Sequence, residues 1–110
     1  MTMTQQSFLK CQMILLQPQN AKALREELAI LVPQPYHLWV IDLAQVDFMD
    51  SSGLFALTKG LSAARSIGCR LVICNLQPSI QIIFELTQLD SVFEIFESYD
   101  AVLCTVNAQS

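Results

Sequence analysis

Apolar residues fall into short blocks along this chain, and the spacing inside the blocks changes from one to the next. Phe8 to Leu16 is a β-prone run that reads as one long strand, or as two short ones broken near Lys10. From Met13 to Leu16 alternation is lost, which predicts burial on both faces, and Pro18 ends the run. Asn20 is a good N-cap. After it Ala21, Leu24, Leu28 and Leu31 recur at helical spacing, with Lys22, Arg25, Glu26 and Glu27 off the stripe as a solvated face. Pro33 and Pro35 stop that helix. Leu38 to Leu43 reads as a strand apolar on both faces, interrupted by Asp42 near its C-terminal end. Val46-Asp47-Phe48-Met49 continues as an extended lead-in to a polar loop, Asp50-Ser51-Ser52-Gly53.

A second helix is predicted from Ser51 or Ser52, with Leu54, Leu57, Leu61 and Ala64 as its buried stripe and Gly68 as its left-handed stop. Arg70 to Asn75 is a short buried strand, so strand, helix and strand follow one another as a parallel βαβ unit. Pro78 suits the first turn of a third helix running to about Gln88, with Ile80, Ile83, Phe84 and Leu86 as its apolar face. Asp90 and Ser91 make a turn, and Val92 to Phe96 is a last short strand. Ser98 caps a final helix from Tyr99 to about Val106, with Asn107 to Ser110 frayed. No internal repeat or linker interrupts the pattern, which predicts one α/β domain over residues 1–110 with a core from about 8 to 106.

Composition narrows the function classes. Apolar residues make up 53% of the 110, but their runs are only a handful long, against the ~20 residues a membrane span needs. The N-terminus lacks the basic start and apolar block of a secretory signal, so the expectation is a cytoplasmic protein with no membrane contact. The net charge is −4, and the six basic side chains are scattered, which argues against nucleic acid as a partner. Of the cysteines, Cys11, Cys74 and Cys104 lie in apolar, strand-like runs. With no C-x-x-C pair and one distant histidine, His37, all four (Cys69 included) read as reduced core thiols rather than metal ligands.

The chemistry concentrates in the Asp50–Gly53 loop, at the C-terminal end of a predicted parallel strand, where α/β sheets place their contacts. A serine there can cap the helix, and Ser52 is the better placed for that task. A helix N-terminus also offers free N–H groups and partial positive charge, so the fold tolerates a phosphate on it. Phosphorylation adds about −1.5 to −2 charge, which beside Asp50 would disrupt a close-packed interface. Asp50 reads either as an acid favoured near a helix start or as the group that orients the serine hydroxyl. The residues argue against catalysis. A serine nucleophile needs a base in reach, and His37 stands at the far end of the preceding strand. A receiver-type magnesium site would need acids where Gln17-Pro18-Gln19-Asn20 stands, and no phosphate-cradling glycine loop occurs.

Val40-Ile41-Asp42-Leu43 followed by Val46-Asp47-Phe48-Met49-Asp50-Ser51-Ser52-Gly53-Leu54 resembles the STAS domain of bacterial anti-sigma factor antagonists. Similarity extends to Asn20–Leu28, to Gly68–Asn75, and to Leu86–Leu89 with Val92–Phe96, covering about residues 8 to 106. The resemblance implies a mixed, mostly parallel sheet of four to five strands, with about four helices largely on one face. It also implies partner switching: the unphosphorylated antagonist binds an anti-sigma factor that is also a serine kinase, the kinase phosphorylates the first serine of the pair, and a phosphatase resets it. Carried onto this chain, the phosphorylated residue is Ser51, and Asp50, Ser52 and Gly53 shape the switch loop. No cofactor belongs to this chain, since ATP would be bound by the partner kinase. The alternative is a non-catalytic STAS scaffold in a larger signalling or transport assembly.

Two features depart from the family. The turn Leu16–Asn20 is short and lacks an acid, and Phe55 stands where a small residue is usual. At 100° per residue Phe55 lies roughly 140° from the centre of its helix's buried stripe, so it is predicted to be exposed, one turn above Ser51, as a partner contact.

Overall fold

The computed structural model describes residues 13–30 and 37–109. Strands β1 (Met13–Leu16), β2 (Leu38–Asp42), β3 (Arg70–Cys74) and β4 (Glu94–Phe96) form one sheet in the order β1-β2-β3-β4. Every pairing among these strands is parallel, rather than mixed. Helices α1 (Ala21–Ile30), α2 (Ser51–Ser66) and α3 (Pro78–Leu86) make the successive crossovers. A 3₁₀ turn, Leu89–Ser91, precedes β4, and α4 (Tyr99–Gln109) follows it.

The side-chain period of two explains why β2 and β3 read as continuous apolar runs. Trp39 and Ile41 on β2 stand in register with Leu71 and Ile73 on β3, and all four join Leu24, Leu57, Leu61, Ala64, Ile80 and Phe84 from α1, α2 and α3. The alternate residues Leu38, Val40, Val72 and Cys74 face the other way, against Val102 of α4. Both faces of the central strands are therefore dry, as a parallel sheet requires. Three helices cover one face and α4 the other.

Local signals account for most element ends. The Asn20 side chain accepts the Ala23 amide at 2.8 Å to start α1, and the Ser98 hydroxyl accepts that of Ala101 at 3.1 Å to start α4. Pro18 is buried where β1 has ended. Gly68 takes φ +78° just beyond α2, a conformation that costs a glycine little. Pro78 opens α3.

Several expectations are corrected. Helix α3 stops at Leu86 rather than Gln88, and Leu86 is exposed instead of lying on the apolar face. From Ile80 it is six residues on, about 240° around the helix, while Ile83 and Phe84 stay within the stripe. Helix α4 continues through Gln109, past the expected stop at Val106. Cys104 is exposed on α4, whereas Cys69 and Cys74 are buried thiols. Phe8 to Gln12, Cys11 among them, and Leu31, Pro33 and Pro35 lie outside the described residues.

Candidate functional site

The candidate site lies beyond the C-terminal end of β2, where the chain crosses to α2. Leu43, Val46 and Met49 are buried and pin the connecting segment to the core, leaving Asp47, Phe48 and Asp50 to solvent. The segment is also tied laterally. The Leu43 amide donates to the Cys74 carbonyl at 3.0 Å, extending the β2–β3 ladder. Gln77 Nε2 donates to the Ala44 carbonyl at 2.6 Å, and the Ser79 hydroxyl to the Asp47 carbonyl at 2.8 Å. Asp42, which interrupts the apolar strand, gathers the strand ends. Its Oδ1 accepts from the Ala44 amide at 2.9 Å and Asn75 Nδ2 at 3.2 Å. Its Oδ2 accepts from Gln17 Nε2 at 3.4 Å. Asn75 holds φ 59°, a left-handed turn that asparagine tolerates better than most residues.

At the first turn of α2 the three polar side chains do different things. Asp50 is the N-cap: its Oδ1 accepts the Gly53 amide at 3.0 Å and the Ser52 hydroxyl at 2.8 Å. These hydrogen bonds, the Gly53 amide first and the Ser52 hydroxyl second, hold its carboxyl below its ordinary value of 3.8, and the positive charge of Arg25 on α1 adds to the effect. The cap is thus Asp50, and the expectation that Ser52 would supply it is corrected. Aspartate accepts from a helix amide as well as serine does, and α2 starts two residues too early for Ser52 to stand outside it. Ser52 is the hydroxyl that Asp50 orients. Ser51, the first helical residue, is exposed, and its hydroxyl has no hydrogen-bond partner among the described residues.

Gly53 is fixed by close approach. A Cβ placed there would stand 2.6 Å from Met49 Cγ and 3.7 Å from the Ala21 Cβ at the start of α1. The glycine thus lets the first turn of α2 settle onto both the loop and the first helix.

Phe55 is exposed as expected, and Lys59 Nζ sits 5.4 Å from its ring centroid, within cation–π range. Sequence reasoning missed Phe48, which is 67% exposed against 64% for Phe55. The two rings therefore flank Ser51 in sequence, both offered to solvent. Burial of Val46 and Met49, three residues apart, is the signal that would have turned Phe48 outward.

His37 precedes the N-terminal end of β2, a strand's length from the loop, and is brought nowhere near Ser51. Among the described residues no group of three or more His, Cys, Asp and Glu is arranged to hold a metal. None of the described helices is long and apolar enough to cross a membrane.

The model of the STAS domain family matches residues 16–102 of this chain. The chain belongs to that family. Among curated proteins, this STAS domain is similar to a Bordetella bronchiseptica protein named "Putative anti-sigma factor antagonist BtrV". The two are 32% identical over 82 residues, which make up 74% of this chain and 71% of the relative. Among solved structures it resembles a sulfate transporter family protein from Wolinella succinogenes, with a TM-score of 0.70 at 15% identity, covering 91% of this chain and 87% of that one. It also resembles a Thermotoga maritima protein described in the same terms as the Bordetella relative, with a TM-score of 0.67 at 18% identity over 86% and 87% of the two chains. At these identities the two structures speak for the fold alone, an α/β STAS architecture. The match runs from the end of β1 to within α4, so the loop and both of its flanking helices lie inside it.

Proposed function

We propose that this STAS domain is an anti-sigma factor antagonist whose binding is switched by phosphorylation of Ser51. Unphosphorylated, it docks on an anti-sigma factor that is also a serine kinase, through the surface around Ser51 and Phe55. The kinase supplies the ATP and transfers the phosphoryl group, and a serine phosphatase removes it. The domain itself is substrate and docking surface, with no catalytic residue and no cofactor of its own.

The observation that carries this reading is the division of labour at the start of α2. Ser52 and the Gly53 amide are engaged by Asp50, whereas the Ser51 hydroxyl is exposed and unengaged among the described residues. A phosphoryl group on Ser51 would add its charge at the open N-terminus of a 16-residue helix without removing the cap. It would also stand beside a carboxylate already held in its ionised form, which favours release from a close-packed partner. The name of the Bordetella relative supports the same role.

The test is intact mass after incubation with ATP and a serine kinase of the anti-sigma type from the same organism. One added phosphate is expected on the native chain and on Ser52→Ala, and none on Ser51→Ala. The phosphorylated chain should no longer co-elute with the kinase. Modification at Ser52, or stable binding without any mass shift, would overturn the switch. The second outcome would favour a scaffold role in a larger assembly.

A further inference from the structure

Helices α1 and α2 do not close fully over the sheet. Between them lies a groove of about 260 Å³, just under the roughly 300 Å³ at which small-molecule sites usually begin. It opens because α2 presents small residues there, Ala56, Gly60 and Ala63, opposite Leu28 of α1. The charged residues lining it are Arg25 from α1 and Lys59 from α2, and no acid lines it among the described residues. Both cations are exposed, in a chain whose net charge is −4.

The floor carries a second, independent feature. Trp39 of β2 lines the groove and is 1% exposed, yet its indole N–H is buried with no hydrogen-bond acceptor among the described residues. A buried donor without a partner costs stability that an apolar side chain of similar size would not. The groove thus combines an apolar wall with two positive charges beside it, and the Trp39 that lines it carries a buried, unsatisfied donor.

We infer that the α1–α2 groove is a binding site for a small apolar carboxylate, with the apolar body laid over Leu28 and Trp39 and the carboxylate held by Arg25 and Lys59. Small-molecule sites have this make-up, mostly apolar with a few placed polar groups. Two cations with no acid in the lining select for negative charge, although Arg25 also acts on the Asp50 carboxylate, and the apolar wall selects against a bare inorganic anion. The groove borders the surface proposed for the partner, since Lys59 also lies over Phe55 and Arg25 acts on Asp50, but Ser51 does not line it, and octanoate binding is read without the kinase.

The chain has one tryptophan, so its emission reports on the groove directly. Octanoate is the probe, with octanol as the uncharged match and acetate as the anion without a body. A saturable change in Trp39 emission is expected with octanoate, at least tenfold weaker with octanol and absent with acetate. The Arg25→Gln/Lys59→Gln double variant should weaken octanoate at least tenfold. Ala63 is exposed, so Ala63→Leu should fill the groove and abolish the response with an unchanged urea midpoint. Ser51→Ala should bind octanoate as the native chain does. Equal responses to octanol and octanoate, an unaffected double variant, or no saturable response would each overturn the site. So would concentration-dependent dimerisation that Ala63→Leu abolishes without any octanoate response, which would assign the groove to a second copy of the chain.

Discussion

One oxygen of Asp50 holds both the Gly53 amide, at 3.0 Å, and the Ser52 hydroxyl, at 2.8 Å. The start of α2 is therefore an aspartate cap. Asp50→Ala should lower the urea midpoint, and Asp50→Asn, which keeps an acceptor, should restore most of the loss at neutral pH. Because the carboxyl lies below its ordinary 3.8 in the folded chain, its contribution is present above that value and lost as pH falls through the folded one. Midpoints measured from pH 7 to pH 2 should show this acid loss in the native chain, and Asp50→Asn should lack that component. An Asp50→Asn profile that parallels the native one would refute it.

Gly53 faces Met49 at a distance no Cβ tolerates. Gly53→Ala should destabilise by about 1–3 kcal/mol through overpacking. Trimming the neighbour should relieve it, so the cost of Gly53→Ala should shrink in a Met49→Ala background. Chemical denaturation of the four chains gives the coupling, and simple additivity would argue against the contact.

Phe55 is exposed, so Phe55→Ala should change stability by less than ~0.5 kcal/mol. As a partner anchor it should cost at least ~1 kcal/mol of binding to the anti-sigma kinase, roughly a fivefold loss or more. Phe48→Ala is expected to act in the same direction. Calorimetric titration alongside urea denaturation separates the two effects, and unchanged affinity in both variants would remove the aromatic contact.

The cysteines should react in a set order. Burial, reinforced by the nearby Asp42 charge, pushes the Cys74 thiol up to about 11, so it carries almost no thiolate at neutral pH. Cys104 is exposed on α4. Among the described thiols of the native protein, an aromatic disulfide reagent should label Cys104 first, with Cys69 and Cys74 following only on unfolding. Peptide mapping at early times checks the order, and rapid labelling of Cys74 would contradict it.

At the N-terminal end of the sheet Arg70 pairs with Glu94 through two hydrogen bonds, at 2.8 and 2.6 Å, joining β3 to β4. Both side chains are substantially solvated, so a double-mutant cycle should give only ~0.2–1 kcal/mol. The Glu94 carboxyl is lowered chiefly by its bond to Arg70. The coupling should therefore be present above the ordinary glutamate range and fade as pH falls through the lowered value.

Where a single physical cause decides an outcome, the residues announced it. Asn20, Gly68, Pro78 and Ser98 each mark an element boundary by their own chemistry, and the 3.6-residue spacing put Leu57, Leu61 and Ala64 inside. The apolar blocks of β2 and β3 likewise required two dry faces. Errors arose where two causes compete. Ala101 to Cys104 is too short an apolar run for its period to be read, and helix geometry turned Cys104 outward. Asp50 and Ser52 are both good caps, and only the register of α2 decides between them. Phe48 stands in an irregular segment, where no period applies and its direction follows from how Val46 and Met49 are anchored. The groove beside Trp39 was beyond reach, since it depends on how far apart α1 and α2 come to rest.

The closeness of Met49 and Gly53 has a consequence for lineages descended from a common ancestor of this loop. A side chain at position 49 that carries a γ carbon penalises any at 53, while alanine at 49 would release it. Substitutions at the two sites should therefore be inherited as pairs, with the change at 49 arising first. A glycine shared by distant descendants would then record an old packing constraint rather than the demands of a signal.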